Sequence, residues 1–287
     1  MKTLKLDEQN RAAGPSCGLT RMAEPMTPRT LEALGVPQPF PAPDPAFTPG
    51  GDWAATYRVW GGHGWIDCAY KTLGVLRLER RAHGKGSCLR VEQKIVYEGG
   101  IVHMLEAEVD VAADYIGSLC RWSVHSEITT TSGEPNRQLG LTYSGRVSPD
   151  ATTWSETIAG AERTTTEHVL SAPMASGWSL FEAVQRLPFA PVSDARFDVL
   201  EGLTMLKPEF HLYFRETPED GLQQQSLPLH RFYLIGRGQL PVDYWVDDHH
   251  RLIMAISGSR AYFLDDEAEV VYQATLEQQR QGRGFHE

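Results

Sequence analysis

Long apolar runs, a basic surplus, paired cysteines and phosphate-cradling loops are all missing from this sequence, and each absence removes a class of function. No apolar stretch reaches the ~18 residues of a membrane-spanning helix, so no membrane span is expected. The 27 Lys and Arg residues face 37 Asp and Glu, a formal charge of −10. Nucleic-acid backbones and anionic membrane surfaces need a concentrated basic patch. The densest basic group here, Arg77, Arg80 and Arg81, reads as a solvated strand end, and no nucleic-acid partner is expected. Four cysteines (Cys17, Cys68, Cys88, Cys120) are too few for a disulfide scaffold and contain no C-x-x-C pair. Gly61-Gly62-His63-Gly64 lacks the Gly-Lys-Ser or Gly-Lys-Thr and the helix that a phosphate loop requires. There is no Gly-x-Ser-x-Gly elbow and no cysteine in a nucleophile's context, so acyl transfer has no support. Met1 to Asn10 is charged and has no signal-peptide core, which implies a cytoplasmic protein by default, or an exported one whose leader precedes this sequence.

What is present is two-residue periodicity. From Cys88 to Leu170 the chain reads as consecutive strands joined by turns: Val91–Tyr97, Ile101–Val109, Cys120–Thr130, Leu139–Val147, Thr152–Ile158 and Glu162–Leu170. Thr, Val and Ile are frequent and apolar residues alternate, as a half-buried pleated surface demands. Glu98-Gly99-Gly100 supplies a tight turn. Trp53–Trp60, Ile66–Tyr70, Leu73–Arg80, Phe210–Glu216, Leu229–Ile235, Val242–Val246, Leu252–Ser257 and Ala261–Leu264 read as further strands.

The flanks differ. Residues 1–50 hold nine of the 18 prolines, and Pro37 to Pro45 recur at every second position, which predicts an extended N-terminal arm with one short helix over Met26–Val36. Residues 51–275 are expected to form one soluble β domain, and 276–287 a frayed tail. One helix interrupts the strands: Trp178, Phe181, Val184 and Leu187 make a stripe over about 176–187, Ser179 and Glu182 have capping-box spacing, and Pro188 stops it. The expected fold is therefore mostly β, a large curved antiparallel sheet forming an open barrel or sandwich around one packed amphipathic helix. The order of long strands, a Trp-Ser-Leu-Phe helix (178–181) and a closing Tyr-Trp-Val-Asp hairpin (244–247) resembles the half-open β-barrel domains of the lipoprotein-carrier type and related bacterial barrels of unknown function. That resemblance spans residues 53–270, implies the fold and carries over no functional residue.

Two groups of side chains suggest chemistry. His211, Tyr213 and Arg215 alternate with Phe210, Leu212 and Phe214, forming a polar row about 7 Å per step, with Arg231 and Tyr233 on a neighbouring strand. Such a row suits binding of an acidic group or acid–base catalysis, and equally suits a solvated sheet face. His103 and His125 with Glu106, Glu108 and Glu127 offer donors for a divalent metal, but they are far apart in sequence, and a hydrogen-bonded core histidine is the competing reading. No cofactor is expected. Glu106 and Glu108 point the same way from one strand, unlike the opposed carboxylates of glycosidases. His249-His250 reads as an exposed turn. Aromatic side chains on strands, Trp122 among them, either pack the core or stack on a ligand. The leading expectation is a domain that binds a small apolar or saccharide-like ligand in its concave face through Arg231, Tyr233, His103, His125 and Trp122. The alternative is a carbohydrate-active lyase or hydrolase in which His211 and Tyr213 exchange protons and Arg215 binds the substrate's acid group.

Overall fold

The computed structural model describes residues 40–62, 70–97, 100–136, 139–159, 163–191, 195–215, 227–257 and 260–281. The expected helix over 26–36, the start of the proline arm, the His63 loop and most of the strand expected from Ile66 lie outside the described residues. Among those described, fifteen strands build one sheet: β1 (Trp53–Gly62), β2 (Tyr70–His83), β3 (Gly86–Tyr97), β4 (Ile101–Ala112), β5 (Leu119–Thr130), β6 (Leu141–Val147), β7 (Thr153–Ala159), β8 (Arg163–Val169), β9 (Met174–Ser176), β10 (Phe197–Glu201), β11 (Met205–Arg215), β12 (Leu229–Ile235), β13 (Val242–Asp247), β14 (Leu252–Ser257) and β15 (Arg260–Leu264). The spatial order is β8-β7-β6-β5-β4-β3-β2-β1-β15-β14-β13-β12-β11-β10-β9. The first and last strands thus pair in the middle of the sheet, and its two edges, β8 and β9, are neighbours in sequence. The sheet curls as an open barrel whose gap falls between those edges.

Alternation assigns the two faces. Residues opposite each other in an antiparallel ladder share a face. One row, Ala55–Leu78–Val91–Ala107–Val124–Tyr143, points inward, and from Leu78 to Tyr143 it is at most 4% exposed. The adjacent row, Arg77–Glu92–Glu106–His125–Thr142, points outward. Register shifts at Val59/Trp60, Asp110/Val111 and Trp245/Val246 bend the ladder where the sheet turns. The inner face is tight enough that a side chain at Gly145 has no room: a Cβ there would lie 2.1 Å from the Trp122 ring. Gly145→Ala is expected to destabilise the protein by ~1–3 kcal/mol, as overpacking does, measured by urea unfolding. A change within error would show that this ring yields freely.

All neighbouring strands are antiparallel except β9 and β10, which run parallel. Parallel neighbours need a crossover, and α1 (Gly177–Arg186) supplies it, lying in the concavity. The helix is expected from the sequence, but its cap is not the expected pair. Ser176 accepts from the Ser179 backbone N–H while Ser179 Oγ accepts from the Ser176 N–H. Glu182 is fully buried and paired instead with Arg80 and Arg186. Every residue from Ser179 to Gln185 is buried, so the helix is surrounded, not laid on one face. Arg80 also donates to the carbonyls of Gly50 and Gly51, and Arg251 to that of Pro41. These bonds fix the described end of the proline arm across one mouth of the barrel.

A second helix, α2 (Ala268–Arg280), runs through the boundary at 275 and into the tail expected to fray from 276. Ala268, Tyr272 and Leu276 recur at four-residue spacing and pack on Val75, Val96 and Val102 of the convex face. Lys94 pairs with Glu269 at 3.1 Å to hold it. No helix among the described residues is long and apolar enough to cross a membrane.

Candidate functional site

The arm is tied to Arg80 and Arg251 at one end of the barrel, and the other end opens at the N-terminal end of α1. A cavity of about 580 Å³ lies there between the helix and the inner face. Its apolar wall is aromatic: Trp178 and Phe181 from α1, Tyr244 from β13 and Tyr262 from β15. Phe181 meets Tyr57, Tyr244 and Tyr262 edge-on, with centroids 5.9, 5.9 and 5.5 Å away, the favourable arrangement of ring quadrupoles. Burial pushes the phenols of Tyr57 and Tyr244 well above the usual range, so both stay protonated.

The polar wall is formed by Gln93 and Tyr97 of β3, His103 of β4, Ser126 of β5 and Arg260 of β15. His103 Nε2 lies 2.8 Å from Ser126 Oγ. Burial, then the nearby Arg260 charge, lowers the His103 pKa, which favours a neutral imidazole. Burial alone would also lower Arg260, but the phenol oxygens of Tyr262 and Tyr97 beside it outweigh that and raise its pKa. Arg260 is a cation with no carboxylate partner among the described residues. Gln93 makes no side-chain hydrogen bond among the described residues and turns its amide to the cavity, and the Oε1 of Gln239, also at the cavity, is buried without a partner. Tyr143 is satisfied, donating to the Gly202 carbonyl at 2.6 Å.

A second concavity, of about 620 Å³, runs over the outer face of β3–β8. It carries two carboxylates, Glu108 and Asp110, and two guanidiniums, Arg121 and Arg146, so its charge balances, and Arg121 and Asp110 pair at 3.0 Å. Burial first, then Asp110, pushes the Cys88 thiol up to about 11, away from thiolate chemistry. The inner cavity, with unmatched polar groups beside flat rings, is the better candidate.

The residues singled out in the sequence are split by the fold. The row His211, Tyr213 and Arg215 exists in the expected register, opposite Ile235, Tyr233 and Arg231, but on the outer face. There the rings of His211 and Tyr213 lie 5.7 Å apart, Arg215 lies over Tyr233, and Arg231 pairs with Asp243 between the rings of Tyr233 and Trp245. His103 faces inward and lines the cavity, whereas His125 faces outward opposite Glu106, bonded to Thr142 at 3.0 Å. The two histidines therefore do not converge. Among the described residues no group of three or more His, Cys, Asp or Glu side chains is placed to hold a metal. Trp122 is 1% exposed and packs on Trp154 in the core. Arg260, Gln93, Tyr97, Tyr262 and Trp178 were not singled out as site residues. The available signal was phase: Gln93 alternates with Leu89, Val91 and Ile95, a polar residue at an apolar beat.

No family model matches the chain, and no curated protein matches it. A solved structure described as a beta-barrel-like protein of domain of unknown function DUF1849 from Brucella abortus is similar over 75% of this chain and 96% of its own, at 6% identity and a TM-score of 0.49.

Proposed function

We propose that this protein is a binding domain that holds a small, largely apolar ligand in the cavity between α1 and the concave face of its sheet. The observation that carries the reading is the pairing of an aromatic wall with a buried, unpartnered amide oxygen, Gln239 Oε1, beside the unbonded Gln93 side chain. A buried polar group without a partner is costly, and a ligand that supplies the partner recovers that cost. Small-molecule sites are typically concave and apolar with a few placed polar groups. Of apolar and saccharide-like ligands, the former suits the wall of Trp178, Phe181, Tyr244 and Tyr262, which offers broad ring faces to an apolar body. A thermal-shift screen of aryl, acyl and saccharide ligands tests it. At a hundredfold excess over Kd a true ligand adds about 2.7 kcal/mol of stability, a clear rise in Tm. Ser257→Trp, which fills the cavity from the end of β14, is expected to abolish that rise while keeping the fold. If no aryl or acyl compound raises Tm, or Ser257→Trp leaves the rise intact, the cavity is not the site.

A second reading keeps acid–base chemistry on His211, Tyr213 and Arg215. One observation favours it: His211 Nδ1 is buried without a partner. Turnover of a uronic-acid saccharide that disappears in the His211→Ala, Tyr213→Phe double variant would support this reading; unchanged turnover would end it.

A further inference from the structure

The one Lys or Arg among the described residues lining the cavity says more about its guest. Arg260 starts β15 on the cavity wall, partly buried. No carboxylate among the described residues pairs with it, in contrast to Arg58, Arg80, Arg231 and Arg251, each held by an acidic partner. Among the described residues, the one carboxylate that lines the same cavity, Glu201, is committed to Lys207 at 2.5 Å. Around Arg260 stand the phenols of Tyr97 and Tyr262 and, on the adjoining wall, the unbonded Gln93 amide. The N-terminus of α1, at Gly177 and Trp178, borders the same space and adds positive potential. The far wall is aromatic. A planar guanidinium presents two parallel N–H donors that match a carboxylate.

We propose that the cavity takes a hydrophobic monocarboxylate, its acid group on Arg260 with hydrogen bonds from Tyr97, Tyr262 and Gln93, and its apolar body against Trp178, Phe181 and Tyr244. The assignment rests on the binding reading above and makes it specific. A single guanidinium with neutral donors balances one negative charge, not two. His103, held toward its neutral form within reach of the same wall, leaves the charge selection to Arg260.

Two ligands that share a ring system and differ in charge decide it. Naphthoate and naphthylmethanol are titrated separately into the full-length protein at pH 7 and followed by calorimetry. Naphthoate is expected to bind at least about tenfold more tightly, the scale of one charge-assisted hydrogen-bonded pair. Arg260→Met is expected to remove that preference while naphthylmethanol binds as before, and Arg260→Lys to restore part of it, since the charge returns without the fork. Equal or weaker binding of naphthoate by the unmodified protein overturns the carboxylate assignment and leaves the cavity reading standing. A preference that survives in Arg260→Met overturns the role of Arg260. Failure of both compounds to bind counts against the cavity reading itself and removes this assignment with it.

Discussion

Glu182→Ala should destabilise the protein by about 3–5 kcal/mol, the cost of leaving one member of a buried ion pair behind, and lower Tm by roughly 10 °C. Glu182 is fully buried inside the barrel, and its Oε1 accepts from Arg80 at 2.7 Å and from Arg186 at 2.6 Å. Arg80 has 5% of its side chain exposed and cannot turn to water without moving the helix or the arm. The substitution strands that guanidinium against an apolar core. The same logic gives a control. Arg80→Met together with Glu182→Leu removes both charges and should recover part of the loss, the remainder reflecting the carbonyls of Gly50 and Gly51 that Arg80 also serves. Chemical denaturation of the four proteins completes the cycle. A loss of less than about 1 kcal/mol in Glu182→Ala would mean that the pair is solvated and does not lock α1 to β2.

Phe181→Ala carries the second large effect. Truncating a buried Phe costs about 3–5 kcal/mol, and here it also removes the ring against which Tyr57, Tyr244 and Tyr262 are oriented. Phe181 joins the closed core to the open cavity, so stability and binding should fall together. Phe181→Leu, which keeps most of the volume, should retain most of the stability while still weakening aryl ligands through the lost ring face. Equilibrium unfolding and calorimetry on both variants separate the two effects. A Phe181→Ala protein as stable as its parent would show that α1 is not packed in the sheet's concavity as described.

The sheet was legible because its long strands keep a strict two-residue beat. Leu89, Val91, Gln93 and Ile95 all land inward with Cys88, Arg90, Glu92 and Lys94 outward. The helix over α1 was legible from its stripe and Pro188. Its cap was misassigned because Ser179 has plausible partners three residues away on either side, and only burial reveals that Glu182 serves Arg80. The second helix escaped because Ala268, Tyr272 and Leu276 are a narrow stripe among Glu and Gln, without a side-chain cap at its N-terminus.

The candidate site was less legible, for a different reason. Whether His103 and His125 meet depends on inter-strand register, which places Glu106 opposite His125 and Ile128 opposite His103, putting the two histidines on opposite faces. The gathering of Gln93, His103, Trp178 and Arg260 depends on sheet curvature and on the pairing of β1 with β15, elements at opposite ends of the chain. Polar residues at apolar beats, Arg80 and Gln93, were the readable trace. One became the structural ion pair and the other the cavity's unpartnered amide.

The most direct test of a guest bound inside the sheet is amide and indole NMR during titration with naphthylmethanol. The side-chain signals of Gln93 and Trp178 should shift in step and saturate together, while those of Trp245 on the outer face stay in place. Shifts confined to Trp245 and its outer-face neighbours, or spectra unchanged at saturating ligand, would contradict the account.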